Sequence, residues 1–383
     1  MGYEVGRHVE RLPGRAVRDT SLPDMRLAMY DALLVYDAIE QSWTLVRLEL
    51  DRPPAAAGRA ADTLRAMLAA AGERATDIAP TRAEYADATA RPTDVDVRSP
   101  FTPDEYRAAV ARCVEYIAAG DIFQVNLSQR FTVSPCPPPV DLYRQLRRRN
   151  PAWYAGYLSF SAGGQTCAVL SSSPELFLAV RDGHVTTRPI KGTRPRTGDR
   201  AADRAAAADL LASPKDNAEL AMIIDLLRND LGRVCRYGTI RVTDPCRLET
   251  HPTVFHLVGT MEGELYDGVG PTQLLRATFP GGSITGAPKI RAMEIIDELE
   301  PTARGVYAGC VGHVGVNGEC TWNIVIRTIV CDGQAAHVQV GGGIVADSTP
   351  AAEYNETLDK ARAILEAIAQ TQALTHQHAG GAG

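Results

Sequence analysis

One lysine stands among arginines in a stretch rich in glycine and proline, PIKGTRPR at residues 189–196. Lys191 is followed closely by Arg194 and Arg196. Neighbouring positive charge favours the neutral form of an amine, and a neutral lysine can attack an electrophilic carbon, which an arginine cannot do. The pattern therefore allows covalent chemistry at Lys191. It also allows a simpler function, in which all three cations bind an anionic ligand, and the residues alone favour that second interpretation.

Two predicted helices carry carboxylates at the edge of their apolar faces. Glu219 lies beside the apolar stripe of one helix, and Glu353 and Glu356 occupy the equivalent edge of the last helix. Carboxylates from separate helices can form a site for a hard cation such as Mg²⁺, which uses one or two carboxylates together with substrate oxygens. The alternative is an ordinary pair between Glu356 and Lys360, which have helical i, i+4 spacing. From the residues alone, the ordinary pair is favoured.

Two glycine-rich segments could approach a ligand closely. GGSITGAPK at residues 281–289 lacks the Gly-Lys-Ser/Thr ending of a nucleotide-binding P-loop, because Gly286 is followed by Ala-Pro-Lys. Its backbone amides, placed before a predicted helix, can still bind a carboxylate. VGGGIVADS at residues 340–348 places Gly341, Gly342 and Gly343 on a predicted strand. Three glycines weaken a strand unless a ligand or another backbone comes close.

Composition excludes several classes of protein. The net charge of −6, without a basic stripe, argues against a nucleic-acid binder. No run of eighteen apolar residues is present, so no membrane span is predicted. His251 and His256 are not at zinc-helix spacing, and none of the eight cysteines form a CxxC motif. We expect these cysteines to be reduced in a cytoplasmic protein.

Hydrophobic periodicity predicts the elements that position these residues. Thr102 to Glu105 form a capping box that begins a helix ending near Gly120. Strands are predicted at 123–133, 152–160, 165–171 and 175–181, followed by a loop at 189–198. Helices are predicted at 215–231, from Pro288 onwards, and at about 350–370. Two Asx-Gly turns predict a three-stranded antiparallel meander over 306–345.

This order of elements predicts an α+β fold, with two packed antiparallel β-sheets and flanking helices. We predict three regions along the chain. Residues 1–98 form a partial N-terminal region of the same fold, in which two strands lie between Asp31 and Leu50 and a helix covers Thr63 to Ala71. Residues 99–371 form the catalytic domain, and residues 372–383 form a disordered tail.

Together, these segments resemble the chorismate-utilising enzymes, a family that includes component I of anthranilate synthase and of aminodeoxychorismate synthase. The resemblance covers about residues 100–370. It is carried by the motifs DIFQVNLSQRF, SSSPELFL, PIKGTRPR, ELAMIIDLLRNDLGR, FPGGSITGAPK, WNIVIRT and VGGGIVADSTPAAEYNETLDKA. The resemblance implies a single large α+β catalytic domain that binds chorismate, a cyclohexadiene with two carboxylates.

The resemblance also implies roles for individual residues. Glu219 and Glu356 would hold Mg²⁺, which takes the ring carboxylate of chorismate. Glu175 resembles the family's general acid, which protonates the departing ring hydroxyl, and His256 resembles the histidine near the ring. The implied substrate-binding set consists of Gly192, Thr193, Gly286, Tyr307, Arg327, Gly341, Gly342, Gly343 and Lys360.

Two positions separate the branches of this family. Isochorismate and salicylate synthases carry a lysine base where this chain has Gln124, and anthranilate synthases carry alanine where it has Lys191. The chain is therefore similar to the aminodeoxychorismate synthase branch, which implies a nucleophilic Lys191, ammonia as the second substrate and a glutamine amidotransferase subunit as the partner. The alternatives are anthranilate synthase component I and a scaffold that binds chorismate or the amidotransferase without turnover.

Overall fold

The computed structural model describes residues 1–49, 59–74 and 95–380, and these form two compact units. One unit contains residues 1–25 and 90–383, and the other contains residues 26–89. We predicted a boundary near residue 98, whereas residues 1–25 belong to the large unit. The reason is a set of long-range backbone contacts, since the amino group of Met1 donates to the Cys310 carbonyl and Val17 pairs with Thr302.

The small unit contains an antiparallel hairpin and one helix. Strands β1 (Ala32–Asp37) and β2 (Ser42–Arg47) pair with each other, and helix α1 spans Arg59–Arg74. Both strands fall within the predicted pair, and α1 includes the predicted helix. Residues 75–94 of the N-terminal region predicted at 1–98 lie outside the described residues.

The large unit contains the remaining elements. Its helices are α2 (Pro103–Ala118), α3 (Pro139–Arg149), α4 (Arg200–Ala212), α5 (Pro214–Gly232), α6 (Pro271–Thr278), α7 (Lys289–Leu299) and α8 (Pro350–Gly380). Its strands are β3 (Val97–Arg98), β4 (Gln124–Val133), β5 (Tyr154–Ala162), β6 (Gln165–Ser173), β7 (Leu176–Arg181), β8 (His184–Arg188), β9 (Ile190–Pro195), β10 (Arg241–Thr250), β11 (Val254–Glu264), β12 (Gly286–Ala287), β13 (Cys310–Val314), β14 (Cys320–Ile324), β15 (Thr328–Cys331) and β16 (Ala336–Ile344).

These strands form two seven-stranded antiparallel sheets. The first has the order β10-β11-β8-β7-β14-β13, with β9 also paired to β11, and the second has the order β12-β4-β16-β15-β6-β5, with β3 paired to β4. A single apolar cluster contains Leu127 of the second sheet, Phe177 of the first and Ile223 of α5, all buried. The predicted α+β class, with two antiparallel sheets and flanking helices, is confirmed.

The predicted three-stranded meander over 306–345 is wrong. The segment makes two separate hairpins, because β13 and β14 pair in the first sheet whereas β15 and β16 pair in the second. The chain crosses between the sheets after Ile324, and Arg327 at this crossing has a positive φ of 49°. Both predicted Asx-Gly turns are confirmed. The residues of a turn specify its own hairpin, but they do not specify whether two neighbouring hairpins share a sheet.

Two further local predictions differ from the structure. The predicted loop at 189–198 contains strand β9, whose pairing with β11 outweighs the low strand propensity of its glycine and prolines. Helix α8 continues to Gly380, beyond the predicted start of a disordered tail. Thr371 and Thr375 donate to carbonyls one turn earlier, and Gln372 donates to the Pro135 carbonyl.

Two helices frame the region where the candidate residues lie. Helix α5 packs on β9 and β11, and α8 packs on β16 of the other sheet. Within the described ranges, no helix combines the length and the apolar character needed to cross a bilayer.

Candidate functional site

Lys191 is positioned by a β-bulge. Lys191 pairs with Leu257 and Thr193 pairs with His256, so Gly192 is an extra residue in β9. Gly192 has a φ of +70°, and a Cβ there would lie 2.8 Å from Leu210 Cδ1. Glycine is therefore required both by the backbone conformation and by the close packing. The Lys191 side chain is 12% exposed, and its Nζ lies 3.6 Å from Oε2 of Glu219 on α5.

The glycines of β16 leave room beside this amine. An ideal Cβ built on Gly343 would lie 2.2 Å from Gln124 Nε2 and 3.2 Å from Lys191 Nζ. Gln124 is buried, and its Oε1 has no hydrogen-bond partner among the described residues. A buried acceptor without a partner is costly and marks a place where a ligand donor can bind. Lys191 and Gln124 thus share one space above Gly343, where the two sheets meet.

Glu175 lies between β6 and β7 and is 4% exposed. Burial raises its pKa from 4.5 to about 7, against the opposing effects of a hydrogen bond from Ser283 and the charges of Lys191 and Arg327. Ser283 Oγ donates to Glu175 Oε1 at 2.7 Å. A carboxyl group with this pKa holds a proton near neutrality and can deliver it to a leaving group.

His256 on β11 is 1% exposed. Burial lowers its pKa to about 3, and the charge of Arg327 adds to this effect. The imidazole is therefore neutral near pH 7. Its Nδ1 lies 3.0 Å from Thr193 Oγ1, and its Nε2 has no partner among the described residues. Depending on the tautomer, this Nε2 can accept one hydrogen bond from a ligand or donate one to it.

Tyr307 and Arg327 supply two further polar groups, and neither lies on a regular strand. Tyr307 is 7% exposed, and burial raises the pKa of its hydroxyl. Arg327 donates from Nη1 to Asn150 Oδ1 at 3.4 Å. Ideal hairpin turns would have placed Tyr307 and Arg327 on opposite faces of one sheet. The crossing between the sheets removes that constraint.

The last helix, α8, brings carboxylates to β16. Oε1 of Glu356 lies 3.4 Å from an ideal Cβ on Gly342, and Oε2 of Glu353 lies 3.1 Å from the same position. Lys360 Nζ lies 2.6 Å from Glu356 Oε1 and donates to the Gly341 carbonyl at 2.8 Å. The Glu356 side chain is 47% exposed, and its partial desolvation would raise its pKa, but nearby lysines outweigh this effect and hold that pKa below its ordinary value.

The carboxylates of Glu219 and Glu356 fit the requirements of a hard divalent cation. Lys191 and Lys215 both act electrostatically on Glu356, and both also contact Glu219, so the two carboxylates face a common space. Their charges are balanced here by lysines. Within the described residues, no group of three or more metal-ligating side chains occurs. A metal held by these residues would therefore take its remaining ligands from water or substrate, as Mg²⁺ commonly does.

Gly286 has a structural explanation. It pairs with Val125 across β12 and β4, with a φ of +144°, and a Cβ there would lie 2.2 Å from the Gln124 carbonyl oxygen.

Sequence reasoning did not identify Ser283, Asn126 or Lys215 as neighbours of the site. The scarcity of lysine and the i, i+4 spacing to Glu219 could have identified Lys215, whereas only the tertiary fold brings Ser283 to Glu175.

The residues assembled here define an α+β protein with a buried proton donor, a shielded amine and paired carboxylates where two sheets meet. The protein family described as "chorismate binding enzyme" matches residues 1–366 of this chain. Anthranilate synthase component 1 of Pseudomonas putida is 41% identical, over 96% of this chain and 74% of that protein. Aminodeoxychorismate synthase component 1 of Salmonella typhimurium is also 41% identical, over 96% of this chain and 75% of that protein.

A solved structure agrees with these relatives. Anthranilate synthase component I from Streptococcus pneumoniae superimposes with a TM-score of 0.80 and 33% identity, covering 95% of this chain and 79% of that one. The chain belongs to the family of chorismate-utilising enzymes. Relatives with two different names have the same identity to this chain, so overall similarity does not separate the two activities.

Proposed function

We propose that the chain is the synthase subunit that converts chorismate and ammonia to 4-amino-4-deoxychorismate, the reaction of aminodeoxychorismate synthase component 1. The observation that carries this proposal is Lys191. Its amine is shielded from solvent, shares a space with Gln124, and lies close enough to Glu175 to act on its ionisation. An enzyme that only binds an anion has no need of a shielded amine beside a protonated carboxyl group.

The proposed reaction has two steps. Once the Lys191 amine has given up its proton, its nitrogen forms a bond to the ring, the bond from the ring to its hydroxyl breaks, and Glu175 supplies the proton with which the hydroxyl leaves as water. Ammonia then adds at the carbon that the hydroxyl left and displaces the lysine. The enolpyruvyl group stays on the ring, so a separate lyase is needed to release p-aminobenzoate for folate biosynthesis.

The remaining residues bind and orient the substrate. Arg327, Tyr307 and Lys360 offer a cation, a hydroxyl and a second cation to the two carboxylates of chorismate. Neutral His256 adds a hydrogen bond beside the ring. Mg²⁺, which Glu219 and Glu356 would hold, would neutralise the ring carboxylate during the reaction. Gln124 cannot deprotonate water, which argues against addition of water at this site.

We propose two further features, a partner subunit and a cellular location. The term "component 1" in the names of relatives suggests a second subunit, and a glutamine amidotransferase would supply the ammonia. All eight cysteines are free, which supports the reducing cytoplasm as the location.

The test is the identity of the product. The protein is incubated with chorismate, Mg²⁺ and an ammonium salt at high pH, and the product is identified by liquid chromatography and mass spectrometry. We expect an aminated product that keeps its enolpyruvyl group, and its loss in Lys191→Ala. The matched variant Lys191→Arg keeps the charge without the nucleophile and should also be inactive. Anthranilate with release of pyruvate would instead establish the second candidate, which the named relatives support equally.

A further inference from the structure

Lysine is concentrated at the carboxylates of the site. The chain has 40 lysines and arginines, of which only Lys191, Lys215, Lys289 and Lys360 are lysines. Three of the four contact the candidate metal ligands. Lys191 and Lys215 lie 3.6 and 4.0 Å from the two oxygens of Glu219, and Lys360 lies 2.6 Å from Glu356. The proposed function gives Lys191 a chemical role and Lys360 a role at the substrate, and it leaves Lys215 without one.

Interactions within helix α5 do not explain why a lysine occupies position 215. The residue follows Pro214 in the first turn of α5, where the positive end of the helix dipole disfavours a cation. Its i, i+4 partner Glu219 lies on the C-terminal side, which is the less favourable orientation for such a pair. These two unfavourable effects are offset by the acidic groups that Lys215 faces, since the charge of Lys215 also acts on Glu353 and Glu356.

The choice of lysine over arginine is physically informative. An arginine would hold Glu219 in a planar, two-pronged pair, whereas lysine is a point charge on a flexible stem that can move away. The Lys215 side chain is 48% exposed, so water is available to the ammonium group when it leaves the carboxylate. The side chain thus lies at the rim of the site with a route to solvent.

We propose that Lys215 is a displaceable counterion of Glu219, which neutralises this carboxylate until a divalent cation binds and thereby sets the affinity of the site for metal. The inference rests on the metal site of the proposed function and deepens it. Lys215 is accordingly a positioning residue and makes no bond to the substrate.

The test is direct binding of Mn²⁺ to the full chain without chorismate, by electron paramagnetic resonance of free Mn²⁺ at low ionic strength. Lys215→Gln should bind Mn²⁺ about tenfold more tightly than the wild type, the effect of removing one unit charge that faces a dication across a few ångströms of water. Lys215→Arg should show no such gain. The control is Arg228→Gln, which removes a charge from an exposed position of the same helix.

Three outcomes would overturn the proposal. Equal or weaker Mn²⁺ binding by Lys215→Gln removes the counterion role while leaving the proposed reaction intact. An equal gain in Lys215→Arg or Arg228→Gln shows that the effect is not specific to a displaceable charge at this position. Failure of the wild type and every variant to bind Mn²⁺ contradicts the metal site itself, and therefore this part of the proposed function.

Discussion

Replacement of Glu175 by glutamine should make the protein more stable at alkaline pH while abolishing its activity. Glu175 is 4% exposed, and its carboxyl group accepts one hydrogen bond from Ser283. Glutamine has nearly the same shape, can accept the same bond through Oε1 and never ionises. The substitution therefore isolates the free-energy cost of burying a negative charge at this position.

The size of the effect follows from the pKa. Burial raises the pKa of Glu175 from 4.5 to about 7. Between these values the unfolded chain has lost its proton and the folded chain has kept it, so the free energy of unfolding falls by about 1.4 kcal/mol for each pH unit. The wild type should thus lose about 3 kcal/mol between pH 4.5 and 7 from this group, and no more above pH 7.

The assay is denaturant unfolding of the wild type and Glu175→Gln at a series of pH values between about 4.5 and 8.5. The difference in unfolding free energy should grow in favour of the variant by about 3 kcal/mol and then level off above pH 7. An exposed residue, Glu264, provides the control, because Glu264→Gln makes the same change from carboxylate to amide without removing a buried charge. A flat difference for Glu175→Gln would refute the buried, protonated carboxyl group on which the proposed acid catalysis depends.

Two further substitutions test the packing around the site. Gly343→Ala would place a methyl group 2.2 Å from Gln124 Nε2 and would displace this amide and the neighbouring amine. We expect kcat/KM to fall about 100-fold, with little change in melting temperature. Unchanged kinetics would contradict the space that Lys191 and Gln124 share. Lys289→Met leaves Asp230 buried without the amine that lies 2.6 Å away, and should cost about 3–5 kcal/mol in unfolding free energy. Adding Asp230→Leu should recover part of this loss, and no recovery would contradict the buried-pair explanation.

Local signals in the sequence predicted the local structure well. The capping box at Thr102 forms as expected, with Glu105 accepting from the Thr102 backbone, and α5 spans Pro214–Gly232 against a prediction of 215–231. The errors concern long-range pairing. Nothing local to residues 306–345 indicates that the chain changes sheets after Ile324, and nothing local to Lys191 indicates that β9 pairs with β11.

The candidate site shows the same division. The apolar periodicity of α5 and α8 placed Glu219 and Glu356 at the edges of their helices, and the structure brings both to one space. The bulge at Gly192 could not be predicted, because it depends on the register between β9 and β11. The alternation along β4 places Gln124 on a polar face. That this face is buried depends on packing against other elements.

The most direct test of the central claim is mass spectrometry of the protein after it is mixed with chorismate and Mg²⁺ without ammonia, quenched and digested. We predict a covalent adduct on the peptide that contains Lys191, equal in mass to chorismate less one water, and its disappearance when ammonia is added. An unmodified Lys191 at every time point, in a preparation that aminates chorismate once ammonia is present, would contradict the account.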